Sequence, residues 1–588
     1  MVYETSYDTG LRPFKHDKNR GKWSSPKDFF FACLGHAFKP DAIFIYPWVV
    51  LRYNGIYAVI PYLATLCLCV IPIVFMQSFL GQFSSTGFIS VFRISPLFKG
   101  IGYVSLIVNL TSLAYYAVLG AIPLFYFIHT LTPTIPWSCE GAITWMKLEE
   151  NASSICAYVK VNLTNATCID DVEIPSVEFF NFELDTMTMY HNNHPKARFS
   201  WALMICTFII WAMVATILIK PIEWIGKFLR YSCIAFLTTM GLVLIRLLFL
   251  PGAAKGYQEI EPVQSYLQTL FYVPLLAFTA LGPGWGSVLT MASYNKFNTN
   301  IFRYSWVMCF GQMGVMFGLA LMSLFITSFM MKDAPTEITF KYIHTQWMEF
   351  LTIPTGLTYM ELPYIWSFLF FAMITLGCLN LLIVQLLSVL TSLFDEFEML
   401  RHLKKEITMA TVGILALTSI LFCTNYGITS FETLSLFSII SQMVLNLLLL
   451  IIVVWIYGRE RFQRDVSFMT NQTYPTWMIN VVRYVAPFFL FLASVIPLGF
   501  IDIHFYMLRG MIFVFLILAI SLLPFLIIPS YCIFKMIQTT GFLGSRILRS
   551  IRPTDWYPED PDDRRRYEEQ FNETEISHNL TTDNVELN

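Results

Sequence analysis

Hydrophobic positions along this chain come as long, nearly unbroken runs separated by short polar loops. The runs are Phe29 to Leu51, Tyr57 to Leu80, Ile101 to Leu131, Trp201 to Ile219, Phe228 to Leu250, Leu267 to Met291, Phe302 to Met330, Tyr364 to Phe394, Ile407 to Cys423, Phe431 to Tyr457, Met478 to Phe500 and Leu508 to Phe534. A helix needs about 20 predominantly apolar residues to cross the hydrocarbon core of a bilayer, so the pattern predicts about twelve transmembrane helices in an all-α polytopic membrane protein.

Two runs carry residues that do not belong in a continuous membrane helix. The first holds Lys39, Pro40 and Asp41 near its middle. A charged side chain at the bilayer centre costs about 2.5 to 3.5 kcal/mol even on lenient scales, so such residues face a cavity or one another. Pro40 lacks the N–H for a helical bond and biases Lys39 away from helical geometry. The sixth run is interrupted at Leu281-Gly282-Pro283-Gly284-Trp285-Gly286. One kink alone is more often packing than function, because Gly and Pro are common in membrane helices. Two breaks five spans apart, one with buried charges, predict two inverted five-helix repeats with a midplane site between them, followed by two further helices.

Composition agrees with this pattern: of 588 residues, 56% are hydrophobic and 13% charged. The formal charge of −2 is spread thinly, and no basic stripe suits a nucleic acid. Where the cations fall sets the orientation. Arg12, Lys15, Lys18, Arg20, Lys22 and Lys27 precede the first run, and Arg546, Arg549, Arg552 and Arg564 to Arg566 follow the last. Both termini are therefore expected in the cytoplasm, with Lys220, Lys227, Lys296, Lys404, Lys405, Arg459 and Arg461 in loops on the same side. The N-terminal stretch shows no cleavable signal pattern. The expected organisation is a cytoplasmic segment 1–27, a twelve-helix domain 28–536 in the plasma membrane, and a cytoplasmic tail 537–588, largely disordered beyond Trp556 for want of apolar residues. The long loop 132–198 falls outside. It carries glycosylation sequons at Asn151, Asn162 and Asn165, and Cys139, Cys156 and Cys168 as disulfide candidates, one of the three left over. His36, His129, His191 and His194 show neither nucleophile nor metal-ligand spacing, so no enzyme is expected.

Several local stretches, in order, resemble the neurotransmitter:sodium symporter family. Arg20-Gly21-Lys22-Trp23 is similar to its N-terminal cytoplasmic motif, and Tyr53-Asn54-Gly55 through Pro61-Tyr62 to its first outer turn. Leu80-Gly81-Gln82 is similar to the end of its second helix, and Leu244-Ile245-Arg246 with Leu250-Pro251-Gly252-Ala253 to the end of its fifth. Leu281-Gly282-Pro283-Gly284 and Ser293-Tyr294-Asn295-Lys296-Phe297 fall in its sixth, Asp395-Glu396-Phe397 at the end of its eighth, and Tyr457-Gly458 with Arg461-Phe462 and Arg464-Asp465 after its tenth. The likeness runs from Arg20 to about Trp556 and implies a divergent secondary transporter working by alternating access on an amino-acid-like or other small organic solute.

The resemblance also locates departures. The asparagine that would coordinate sodium is Ala42, and Ala280 stands where a hydroxyl would bind sodium or chloride, with Thr279 at the aromatic lid position. At the second sodium site Gly377, Asn380 and Leu381 replace a fuller oxygen set; the carbonyls of Gly35 and Phe38 with Asn380 leave a weak site open. Tyr62 keeps the chloride-site tyrosine, while Met316 loses a hydroxyl and Gln312 retains one oxygen near the first sodium site. A methyl or methylene cannot replace an oxygen ligand of a hard cation. Sodium is thus an open but disfavoured ligand, chloride a more strongly disfavoured one, and no organic cofactor is implied. Tyr116 matches the tyrosine that contacts a substrate carboxylate, and Arg20 with Asp395, beside Tyr294, matches a cytoplasmic gate; Lys39, Asp41, Gly282 and Trp285 fall at the substrate site.

Lys39 keeps three readings: a contact to an anionic solute group, a permanent cation in place of sodium paired with Asp41, or one half of an inert pair. Proton coupling is also open, because buried lysines can lose their proton. The chain is accordingly read as a solute carrier with weakened or absent ion coupling, or as a transport-inactive relative regulating another membrane protein. Its partners are a small-molecule solute and the lipid bilayer; oligomeric state stays open. The orientation yields a test. Peptide mapping should find glycan only on Asn151, Asn162 or Asn165; glycan on Asn471 or Asn572 contradicts the assignment of sides.

Overall fold

The computed structural model describes residues 15–17, 19–39, 43–44, 58–138, 141, 176, 179–180, 199–251, 273–279, 286–333, 347–424, 427, 431–495, 530, 551–553 and 555–570. Among the described residues the fold is all-helical, with one isolated bridge between Phe199 and Thr424. Nine helices there are long and apolar enough to cross a membrane: Val59–Ser84, Pro96–His129, Trp201–Leu218, Ile222–Leu248, Ile301–Met330, Pro363–Glu396, Glu398–Phe422, Ser438–Thr470 and Thr476–Val495. They fall on nine of the twelve expected runs. The two interrupted runs lie partly outside the described residues, and the twelfth lies outside them apart from Ser530.

The first half-helix, Pro26–His36, starts where its sequence says it should. Ser25 caps it and Asp28 returns the bond to the cap backbone, while Pro26 occupies a first-turn position where its missing N–H is harmless. Asp28 is wholly buried and also receives the Arg230 Nε of the fifth span at 2.7 Å, so one carboxylate both caps the helix and docks it. Gly226 leaves the room: a Cβ there would lie 2.8 Å from the Trp23 ring. The half-helix packs against the fifth, seventh and eighth spans and the segment Ser287–Ala292. Its last ring, Phe38, stacks on Phe236 at 4.1 Å, with Gly377 of the eighth span providing the gap.

The third and eighth spans form the most extensive helix pair. Gly120 meets Cys378 across it, and Gln385 Nε2 donates to Asn109 Oδ1 at 3.1 Å in its interior. Outward faces show the reverse chemistry. Trp201, Ile205, Phe208 and Ile209 of the fourth span, Leu242, Ile245 and Leu248 of the fifth, and Ile414, Leu417 and Leu421 of the ninth are exposed, whereas Gln77, Asn109, Gln385 and Asn446 are buried. Apolar outside with polar groups paired within is the arrangement a bilayer demands.

Three differences from the sequence expectation stand out. The fifth span begins at Ile222 rather than Phe228, directly after Pro221. A helix at Met348–Thr358, between the seventh and eighth spans, packs on both of them. Segment 557–570, part of the tail beyond Trp556 expected to lack order, is helical over 561–570 and held by aromatic anchors. Trp556 stacks on Phe83 at 5.4 Å, Tyr567 donates to Asp465 Oδ1 at 3.0 Å, and Arg93 Nη1 donates to the Asp555 carbonyl at 2.9 Å. Two buried rings outweigh a polar average composition. Nearby, burial and the guanidiniums of Arg93, Arg20, Arg401 and Arg564 push His16 down to about 2, so its 3.9 Å approach to Glu559 is no ion pair at neutral pH.

The second span and Ser287–Ala292 approach at Gly81, where a Cβ would fall 1.9 Å from the Leu289 carbonyl oxygen. Gly81→Ala should therefore lower the thermal midpoint of the purified protein, at a cost of about 1 to 3 kcal/mol for overpacking, while Gly413→Ala, with open space around it, should not. Equal midpoints for the two variants would contradict this packing.

Candidate functional site

The site starts from a missing hydrogen. In a continuous helix the carbonyl of Thr279 would accept from the residue four positions on, and that residue is Pro283, which has no N–H. That carbonyl receives two side-chain donors from other spans. Lys39 Nζ lies 3.2 Å from Thr279 O, and Gln442 Nε2 of the tenth span lies 3.3 Å from the same oxygen. Gln442 Nε2 is also 3.3 Å from Phe278 O, and Gln442 Oε1 accepts from Lys39 Nζ at 3.5 Å. The Thr279 hydroxyl bonds back to Leu276 O at 3.0 Å. One ammonium, only 2% exposed, thus joins the end of the first half-helix, the sixth run and the tenth span.

Tyr116, fully buried on the third span, approaches the same tenth-span face, with its hydroxyl 3.4 Å from Ser438 Oγ. Asp41, Ala42, Ala280, Gly282 and Trp285 lie outside the described residues. So do Cys139, Cys156, Cys168, Asn151, Asn162 and Asn165.

Of the positions marked for ions, Gly35 faces Asn380, to which a Cβ would approach within 3.3 Å. Asn380 Nδ2 reaches Cys233 Sγ at 3.7 Å, while its Oδ1 is buried without a hydrogen-bond partner. Leu381 beside it is fully buried and offers no oxygen. On the seventh span Gln312 donates through Nε2 to Tyr62 Oη, its Oε1 is likewise unpartnered, and Met316 is buried and apolar. Two amide oxygens on different spans are therefore available to a cation, while the buried Leu381 and Met316 add none.

At the end of the bundle nearest the N-terminal segment Arg20 Nη2 pairs with Asp395 Oδ2 at 3.1 Å, both side chains less than a tenth exposed. The guanidinium lies 4.6 Å from the centre of the Tyr294 ring and also donates to Ser293 Oγ and the Ser85 carbonyl. Gly87 N donates to Asp395 Oδ2 at 2.7 Å, and Tyr294 Oη sits 2.6 Å from Thr391 Oγ1. Arg20, Asp395 and Tyr294 are thus brought together as one charge-assisted cluster joining the N-terminal segment to the second, sixth and eighth spans.

Gln442 and Ser438 were not singled out in the sequence. Their signal was present: Ser435, Ser438, Gln442 and Asn446 are buried polar residues at helical spacing within an otherwise apolar run.

Nine apolar helices of spanning length among the described residues, packed around a buried ammonium that joins the first half-helix, the sixth run and the tenth span, make this a polytopic helical membrane protein. The family model described as the sodium:neurotransmitter symporter family matches residues 20–539, and the chain belongs to that family. The chain is 25% identical over 574 residues to a sodium- and chloride-dependent glycine transporter 1 of Xenopus laevis, covering 92% of this chain and 89% of that one. It is 25% identical over 585 residues to a sodium- and chloride-dependent neutral and basic amino acid transporter B(0+) of Mus musculus, covering 92% and 90%. Over 476 residues it is 26% identical to the sodium- and chloride-dependent creatine transporter 1 of Homo sapiens, covering 78% and 74%.

Removing either partner of the Arg20–Asp395 pair leaves a buried charge uncompensated, a loss of about 3 to 5 kcal/mol at most. Arg20→Ala or Asp395→Ala should shift the protein toward a conformation open to the cytoplasm, read as faster thiol labelling of a cysteine introduced at the buried Ser388. Unchanged labelling would count against a gate.

Proposed function

We propose that this protein is a plasma-membrane solute carrier with both termini in the cytoplasm. It moves an amino-acid-like or other small organic solute by alternating access, with little use of sodium and none of chloride. The observation that carries this reading is the place of the Lys39 ammonium. It sits where the first half-helix, the sixth run and the tenth span meet, bonded to the carbonyl that Pro283 leaves without a helical donor. A fixed charge there supplies what a bound sodium ion would supply, a cation satisfying free carbonyls at a helix break. The apolar Leu381 and Met316, with Ala42 and Ala280 in sequence, leave a dehydrated hard cation short of oxygens. Asn380 Oδ1 and Gln312 Oε1 support no more than weak residual binding.

The relatives' names state dependence on sodium and chloride, and this chain departs from that dependence in the reading offered. The Arg20–Asp395 cluster serves as its cytoplasmic gate, closed in the conformation described. A second reading, a transport-inactive family member acting on another membrane protein, is favoured by the same ligand losses, since fold alone does not carry activity.

Uptake into proteoliposomes from an unbiased solute panel tests the proposal. Uptake should change by less than about twofold when sodium and chloride are replaced by choline and gluconate, and Lys39→Gly should reduce it by about tenfold or more, as loss of a charged hydrogen-bond donor does. Steep sodium dependence of the unmodified protein, with Lys39→Gly indistinguishable from it, would contradict the proposal. Absence of uptake for every solute by folded protein would leave the second reading.

A further inference from the structure

The eleventh span, Thr476–Val495, carries a cation where its outward face begins. Along that face Tyr484, Phe488, Phe491 and Val495 are exposed at helical spacing, and Arg483 stands at the start of the stripe. Its guanidinium lies 4.4 Å from the centre of the Trp455 ring on the tenth span and 5.3 Å from that of Tyr484. The two rings meet edge-on at 6.1 Å, and both are more than half exposed, so the aromatic cradle opens outward. Trp477, near the start of the same span, is also exposed, and Trp and Tyr gather where a membrane meets water. Among the described residues no carboxylate pairs with Arg483, and its Nε is buried without a hydrogen-bond partner. Rings attract a cation, but they accept none of the N–H bonds that a guanidinium directs in its own plane. A second cation is close by: Arg459 lines, with Ile479 and Val482, a narrow fissure between the tenth and eleventh spans.

Packing fixes which end of the bundle this is. Tyr474, in the link between the two spans, stacks on Phe75 of the second span at 4.7 Å, and Phe462 meets Phe79 edge-on at 5.1 Å. Ser85, just past the end of that span, accepts from Arg20. Arg483 and Arg459 therefore lie toward the end that holds the Arg20–Asp395 pair, which the proposed orientation puts in the cytoplasm. The cytoplasmic leaflet is the one that carries anionic lipids.

We propose that Arg483, in its cradle of Trp455 and Tyr484, binds the headgroup phosphate of an anionic phospholipid at the outer edge of the tenth and eleventh spans, with Arg459 adding a second positive charge. The guanidinium fork donates two parallel N–H bonds to phosphate oxygens. The acyl chains lie along Phe488 and Phe491, so a polar and an apolar part of one surface meet the two parts of a lipid, which free phosphate does not match. A zwitterionic headgroup brings its own cation toward the two arginines and is disfavoured. The site is separate from the Lys39 centre and does not depend on whether a solute is carried.

Binding is read as a saturable rise in the thermal midpoint of the purified full-length protein in neutral detergent. The probes are dioctanoyl phosphatidylserine and dioctanoyl phosphatidylglycerol, compared with dioctanoyl phosphatidylcholine and with inorganic phosphate at equal ionic strength. The two anionic lipids should raise the midpoint, and phosphatidylcholine and phosphate should not. Arg483→Gln should weaken anionic-lipid binding by about tenfold or more, as loss of a charged hydrogen-bond donor does, and Arg459→Gln by about fivefold. Arg483→Lys keeps the charge without the fork and should fall between the unmodified protein and Arg483→Gln. Lys227→Gln, which removes an exposed cation of the fifth span, should leave binding unchanged. Equal shifts from phosphatidylcholine and the anionic lipids, a shift from inorganic phosphate alone, an equal loss in Lys227→Gln, or unchanged affinity in the Arg483 variants would each overturn the proposal.

Discussion

A bilayer interior provides no water to satisfy a backbone carbonyl, and at the centre of this protein one such carbonyl is held by side chains from two other spans. Pro283 removes the donor for Thr279 O; Lys39 and Gln442 replace it from two other spans. The first half-helix ends at His36, three residues before the lysine, and the Lys39 side chain reaches across to the sixth run. The closely packed surroundings, with Phe38 on Phe236 and Gly35 against Asn380, hold the break where the bond can form.

The same constraint explains how much of the fold was legible in the sequence. Span lengths are dictated by bilayer thickness, so nine helices fall on their runs, and the breaks announce themselves as charge and proline where neither belongs. Elements outside the bilayer follow other rules. The helix Met348–Thr358 is too short to read as a span, and its buried Phe350 packs edge-on against Phe44, a contact that no local pattern displays. Segment 557–570 looked polar by composition, yet Trp556 and Tyr567 are enough to seat it against Phe83 and Asp465. Membrane helices are read from averages, whereas docked segments beyond the spans depend on single side chains.

Legibility of the site divides in the same way. Lys39, Tyr116, Arg20 and Asp395 stand out in the sequence because a charge in a membrane run or a family register marks them. Gln442 was not, because it is separated from Lys39 by 403 positions and a lone glutamine in an apolar helix carries no charge to flag it. What the spacing Ser435, Ser438, Gln442, Asn446 does show is one polar face; what it cannot show is which span that face meets.

The central claim is that a covalently attached ammonium has taken over the structural work of a bound sodium ion. A ligand that binds only the folded state raises thermal stability by mass action, and a cation already tethered to the chain cannot do so. The most direct measurement is therefore the thermal midpoint of the purified protein titrated with sodium at constant ionic strength, for the unmodified chain and for Lys39→Gly. The account predicts a flat titration for the unmodified chain and a lower starting midpoint for Lys39→Gly. A saturable, sodium-specific rise in the unmodified chain, with Lys39→Gly starting from the same midpoint, would contradict it.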